Sequence, residues 1–176
     1  AAKGIQLIAY PGIRLGNRTP AQHEEKVRAT ARLTSEPNLL GFFIGDDMSE
    51  IHLPSVRRTS ALLREYAPGR PIMADYIGEH TSEAIDVFSH DIDIRCNYTY
   101  PVLGDSLHTY AKFFDTHREL YGDPLWTFLQ CFGWESWSER LNLGVESDGP
   151  MPDAPQLRAM TYIALNRGLR GVIFFP

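Results

Sequence analysis

Cysteine is nearly absent from this chain, with two in 176 residues. That excludes a disulfide framework, and Cys96 and Cys131 lack the spacing of a zinc motif. Both are expected as free, buried, hydrophobe-like thiols. An excess of basic charge is missing too: 17 Lys and Arg stand against 22 Asp and Glu, a net charge of -5. A nucleic-acid partner, which calls for a basic face, is therefore not expected. No apolar run is long enough to cross a bilayer, so no membrane partner is expected. The opening Ala1-Ala2-Lys3-Gly4-Ile5 runs almost straight into a strand, which gives no signal-peptide pattern. Neither GxGxxG nor GxxxxGK[ST] follows any strand, which argues against a nucleotide-binding sheet. The GxSxG nucleophile motif is missing as well. The six histidines show neither HxH nor HExxH spacing. No cofactor and no metal are expected, and Asp46-Asp47 with His52 or His80 is the arrangement left open for a metal-dependent barrel enzyme.

What is present is 43% hydrophobic residues, enough for one domain over 1–176 with a real core. Strand and helix signals alternate. Strands are expected at Gly4–Tyr10, Leu40–Asp46, Arg70–Ile77, Ile92–Asn97, Pro124–Phe132 and Gly171–Phe175. Helices are expected from Thr19-Pro20 onward, then at Ser49–Tyr66, Ser82–Ser89, Asp105–Tyr121 and Asp153–Arg167. Thr19 and Asp153 are the expected caps, and Pro20 suits a first turn. Such alternation predicts an α/β fold with a parallel sheet and right-handed crossovers. The strands carry polar residues that a flat sheet disfavours: Gln6, Asp93, Arg95, Asn97 and Gln130. A closed (β/α) barrel explains them, with inward positions near its top lining a mouth. An open, doubly wound sheet of six strands is the alternative.

The chemistry concentrates at strand ends. Leu40-Gly41-Phe42-Phe43-Ile44-Gly45 reads as a buried parallel strand running into two adjacent carboxylates, Asp46 and Asp47. Side chains at that end of a strand face the crevice where α/β proteins bind ligands. Asp47-Met48-Ser49-Glu50 also has the form of a capping box, so a helix cap competes with a functional acid. Asp75, at the end of its own strand, is a possible third acid or a loop cap. Tyr10, Tyr76, Tyr98, Tyr100, Trp134 and Trp137 fall at or just past strand ends, where flat apolar faces suit pyranose stacking or simple packing. The loop Gly133–Pro152 is too long for a plain connection, and its Trp134, Glu135 and Trp137 favour function.

In the order and spacing of Gly41–Asp47, Asp93–Pro101, Trp126–Trp134 and Leu157–Phe175, the chain resembles the TIM-barrel glycoside hydrolases whose catalytic acids lie on strands four and seven. In that register its first strand is the third of eight. The resemblance thus implies a partial (β/α)8 barrel, about six β/α units lacking the first two. It implies hydrolysis of an oligo- or polysaccharide, with Asp47 at the acid/base slot, where the family commonly has Glu, and Asp46 beside it. Asn97, Tyr98, Tyr100, Gln130, Trp134, Tyr10 and Asp75 are the expected substrate contacts. At the nucleophile slot shortly before Gly-Trp the chain carries Gln130, and an amide cannot form a glycosyl ester. Three readings follow. Glu135 supplies the second carboxylate; or a 2-acetamido group of the substrate does, as in N-acetylhexosaminidases with paired acids like Asp46-Asp47; or the barrel binds carbohydrate without cleaving it. By analogy with the family, an extracellular or periplasmic location is favoured.

Overall fold

The computed structural model describes residues 6–12, 19–101, 107–133 and 151–175. Its six strands alternate with helices along the chain, as the sequence pattern predicts. Two compact units divide the chain, Ala1–Arg95 and Cys96–Pro176.

In the first unit the elements are β1 (Leu7–Ala9), α1 (Pro20–Ala31), β2 (Leu39–Met48), α2 (Leu53–Tyr66), β3 (Ile72–Tyr76), α3 (Ser82–His90) and the start of β4 (Ile94–Asn97). Thr19 caps α1 in a full capping box with Gln22, and Pro20 occupies the first turn, where its missing N–H costs nothing. β1 pairs with β2 and β2 with β3, both in parallel. Phe42, Ile44 and Met48 of β2 and Ile72 and Met73 of β3 are buried with Val56 and Leu63 of α2 and Val87 and Phe88 of α3. That is the two-faced burial a parallel strand requires. Gly41 has a specific reason to lack a side chain, because a Cβ there would run into the Pro71 carbonyl oxygen. Between α1 and α2 the buried His23 Nε2 lies 2.8 Å from Thr59 Oγ1.

β2 runs further than expected. It continues through Asp46 and Asp47 to Met48, whose carbonyl accepts from Ile77 N at 2.8 Å. The helical turn that follows is capped by Ser49, which forms a box with His52, so Asp47 is a strand residue and not the cap. A single 3-10 turn, Glu50–His52, then leads into α2, which starts at Leu53 instead of Ser49.

In the second unit the elements are the end of β4, α4 (Leu107–Tyr121), β5 (Leu125–Gln130), α5 (Ala154–Asn166) and β6 (Gly171–Phe175). β5 and β6 are parallel, from Trp126 opposite Gly171 to Gln130 opposite Phe175. Tyr110 and Phe114 of α4, Leu125 and Leu129 of β5, and Met160 and Ala164 of α5 form its core with Leu169. Asp153 caps α5 in a box with Gln156, as expected. Arg167, just past α5, pairs with Asp115 of α4 at 3.0 Å.

Candidate functional site

β2 and β3 do not pair one residue to one. Phe43 stands opposite Met73, Gly45 opposite Ala74 and Met48 opposite Tyr76. Two steps along β2 thus match one along β3, and the next three match two. The strand bulges twice, and Asp46 and Asp47 together face the single residue Asp75. Bulges commonly occur beside active sites, where they re-aim side chains. Asp47 lies in the left-handed region at φ 54°, a conformation that Asp tolerates better than most residues.

The result is a three-carboxylate cluster. One carboxylate oxygen from each of Asp46, Asp47 and Asp75 lies within 4.8 Å of the others. Asp46 and Asp47 are half-buried. Asp75 is fully buried, 0% exposed, beneath them. Neither Asp75 oxygen has a hydrogen bond of full geometry; the Asp47 and Met48 backbone amides favour its charged form from nearby. Burial, then the Asp46 charge, then the Asp47 charge push its pKa from 3.8 up to about 8. At neutral pH Asp75 is therefore mostly a neutral carboxylic acid beside two acids that solvent reaches. Neither His52 nor His80 belongs to the group. His52 Nδ1 instead accepts from Ser49 N at 3.1 Å.

Next to Asp75, the Tyr76 hydroxyl lies 2.6 Å from Glu50 Oε1 and 2.7 Å from the Glu79 carbonyl. The Tyr76 hydrogen bond holds the Glu50 carboxyl below its ordinary range. Glu50, expected as the last residue of an Asp47–Glu50 capping box, instead receives the Tyr76 hydroxyl. Tyr10 is exposed just past β1, its ring centroid 5.8 Å from that of Phe43. Arg95 is buried and sends Nη1 to the carbonyls of Phe88 and Ile92, each at 3.3 Å. Asp93 is held by Arg64, 3.1 Å away.

In the second unit, Asn97 is buried and its Oδ1 has no hydrogen-bond partner. Gln130 is fully buried, and its Nε2 donates to the Phe132 carbonyl at 3.1 Å. Tyr98 and Tyr100 stack on each other at 4.7 Å. Tyr98 meets Phe128 edge-on, and Tyr100 meets Phe132 edge-on. These two tyrosines thus belong to an aromatic cluster and remain half-buried. Glu135, Trp134 and Trp137 lie outside the described residues.

No protein-family model matches the chain, and no curated protein matches it in sequence. Solved structures do match in fold. A β-galactosidase from the psychrophilic Marinomonas ef1 is similar over 88% of this chain and 36% of its own, with a TM-score of 0.69 and 13% identity. A GH2 β-galacturonidase from Eisenbergiella tayi covers 88% of this chain and 29% of its own, at a TM-score of 0.63 and 12% identity. A glycoside hydrolase family 5 mannosidase from Rhizomucor miehei (E301A mutant) covers 92% and 49%, at 0.57 and 13%. The chain spans less than half the length of each. At such identities the likeness shows the fold, which is α/β of the TIM-barrel type, in part, as expected.

Proposed function

We propose that the protein is a glycoside hydrolase acting on an oligo- or polysaccharide, with the Asp46-Asp47 pair as its acid/base. The observation that carries this reading is the carboxylate cluster at the carboxyl ends of β2 and β3, half-buried at Asp46 and Asp47. Glycoside hydrolysis needs a carboxylic acid to protonate the leaving oxygen, and a second group to attack the sugar or activate water. Crowded carboxylates keep one proton at neutral pH, as such an acid must. The fold supports the reading, since the solved neighbours include a β-galactosidase, a β-galacturonidase and a mannosidase. In this reading Asp47 donates the proton, Asp46 orients it, and Glu135 supplies the second carboxylate. Tyr10, Tyr98, Tyr100 and Trp134 contact sugar, whereas Asn97 and Gln130, expected as contacts, are buried and do not reach it directly.

Gln130 favours a second reading. At the slot where a nucleophile is expected, a buried amide donates to a main-chain carbonyl. That suits a substrate-assisted N-acetylhexosaminidase, or a barrel that binds carbohydrate without turnover. Hydrolysis of a broad glycan panel by the protein and by Asp47→Asn separates them. Turnover that falls at least about 100-fold in the variant supports the acid/base assignment. Saturable sugar binding with no turnover in either protein supports the binding barrel. Turnover restricted to 2-acetamido sugars supports substrate assistance.

A further inference from the structure

We propose that Asp75 is a positioning residue: buried beneath Asp46 and Asp47 at the double bulge of β2, it shares one proton with them and keeps a proton donor in the exposed pair. The hydrolytic part of this inference rests on the proposed function; the proton sharing does not.

Geometry carries the inference. Three carboxylates with oxygens within 4.8 Å of one another repel each other strongly when all are charged. They do not all ionise at neutral pH. The buried member is the one for which charge costs most, because water does not reach it. The other groups around Asp75 offer little relief. From β2 the facing groups are Asp46 and Asp47 themselves. On β3 the Tyr76 hydroxyl is engaged with Glu50 and the Glu79 carbonyl. On β4 Arg95 turns Nη1 toward the Phe88 and Ile92 carbonyls. The buried residues of α2 and α3 are apolar or hydroxyl-bearing, and none titrates near neutrality. The upward push on the Asp75 pKa agrees with this arrangement.

Asp75 does not reach substrate from its buried place, so it acts through its neighbours. The single proton passes from Asp75 to the half-buried pair, which gives it to a leaving-group oxygen as the C–O bond breaks, and the cluster is left without it. The water that completes hydrolysis adds its hydroxyl to the sugar and returns one proton to the protein, restoring the count.

The test is a carboxyl-carbon NMR titration of the aspartate-labelled protein from pH 4 to 10, with Asp75→Asn and Asp46→Asn alongside. The expected result is one aspartate carboxyl titrating above about pH 7. It is absent in Asp75→Asn and moves down by about one to two pH units in Asp46→Asn. The Asp46→Asn arm keeps the test decisive if Asp75→Asn does not fold. Aspartates that all titrate below about pH 5 overturn the inference, as does a high-pH signal that survives Asp75→Asn. In the pH dependence of kcat/KM, Asp75→Asn moves the basic limb to lower pH and Asp75→Glu restores it. An unmoved limb overturns the positioning role. A protein that shows the high-pH carboxyl and turns over no glycan supports the shared proton and removes the hydrolase reading alone.

Discussion

Replacing Asp75 with asparagine stabilises the protein at neutral pH, by an amount that grows with pH. The carboxyl is fully buried, so solvent screening does not dilute the effect. Its pKa stands at about 8 in the folded protein against 3.8 ordinarily. The folded state therefore binds this proton more tightly than the unfolded chain does. Below the unfolded value both states hold the proton, and the carboxyl is as well tolerated as a neutral group. As pH rises from about 4 to about 8 the unfolded chain releases the proton first, and stability falls. Above that window both states are ionised and the loss is constant. At 1.36 kcal/mol per unit, the roughly 3 units between the unfolded value and pH 7 amount to about 4 kcal/mol. At pH 5 the same reckoning leaves about 1.6 kcal/mol. Asparagine carries no titration, so the stability difference between variant and parent widens by about 2.5 kcal/mol from pH 5 to pH 7. Urea unfolding at both pH values measures it, and any constant effect of the amide cancels in the comparison. A difference that stays flat, or that narrows as pH rises, refutes the buried-acid account.

Other substitutions test the local geometry. Asp47→Gly and Asp47→Ala remove the same charge, and because Gly adopts the left-handed backbone freely while Ala does not, the glycine variant is expected to be the more stable of the two by about 1 kcal/mol; urea midpoints measure the difference. Gly41→Ala drives a Cβ into the Pro71 carbonyl and is expected to cost about 1–3 kcal/mol or more. Gly69→Ala, at φ 80° with open space around it, costs only about 1 kcal/mol, which makes it the matched control. Gln130→Glu replaces the donor to the Phe132 carbonyl with a buried acid. It is expected to lower stability by about 2–4 kcal/mol at pH 7. Because burial raises the pKa of the new carboxyl, that loss shrinks as pH falls and the acid regains a proton to donate. A constant loss between pH 5 and pH 8 contradicts this.

Local chemistry was legible wherever it decided structure by itself. The Thr19-Pro20 and Asp153 helix starts follow from residues within one turn. The strand centres follow from apolar runs with both faces covered. The end of β2 was not legible in the same way. Asp47-Met48-Ser49-Glu50 and Ser49–His52 both offer cap chemistry. The choice falls to Ser49 because β2 stays paired with β3 as far as Met48 and Ile77. A register shift of that kind depends on the partner strand, so no window of sequence around Asp46 contains it. Asp75 is legible as a possible third acid, but its depth is not. By position it is an acid near a strand end, yet every residue from Ile72 to Tyr76 is buried.

The depth of Asp75 bears on function as well as on prediction. A buried carboxyl flanked by Ala74 and Tyr76, facing two more acids, works against folding. An apolar or amide side chain of similar size would give a more stable strand. Two bulges and a left-handed Asp47 add to the cost of the same few residues. Sites where local preference, burial and charge all disagree with stability are where function is expected to have set the sequence. Among the described residues, bulges, a left-handed Asp and a buried unsatisfied carboxyl come together at the carboxyl ends of β2 and β3, the place where a fold of this type carries its chemistry. The elements on either side, α1 with its capping box and α2 with its buried stripe, follow the ordinary rules. Strain of several kinds concentrated on three acids therefore favours a reactive site over a weakly built strand. The carboxyl titration and the Asp75→Asn stability profile examine that conclusion through the same proton by independent measurements.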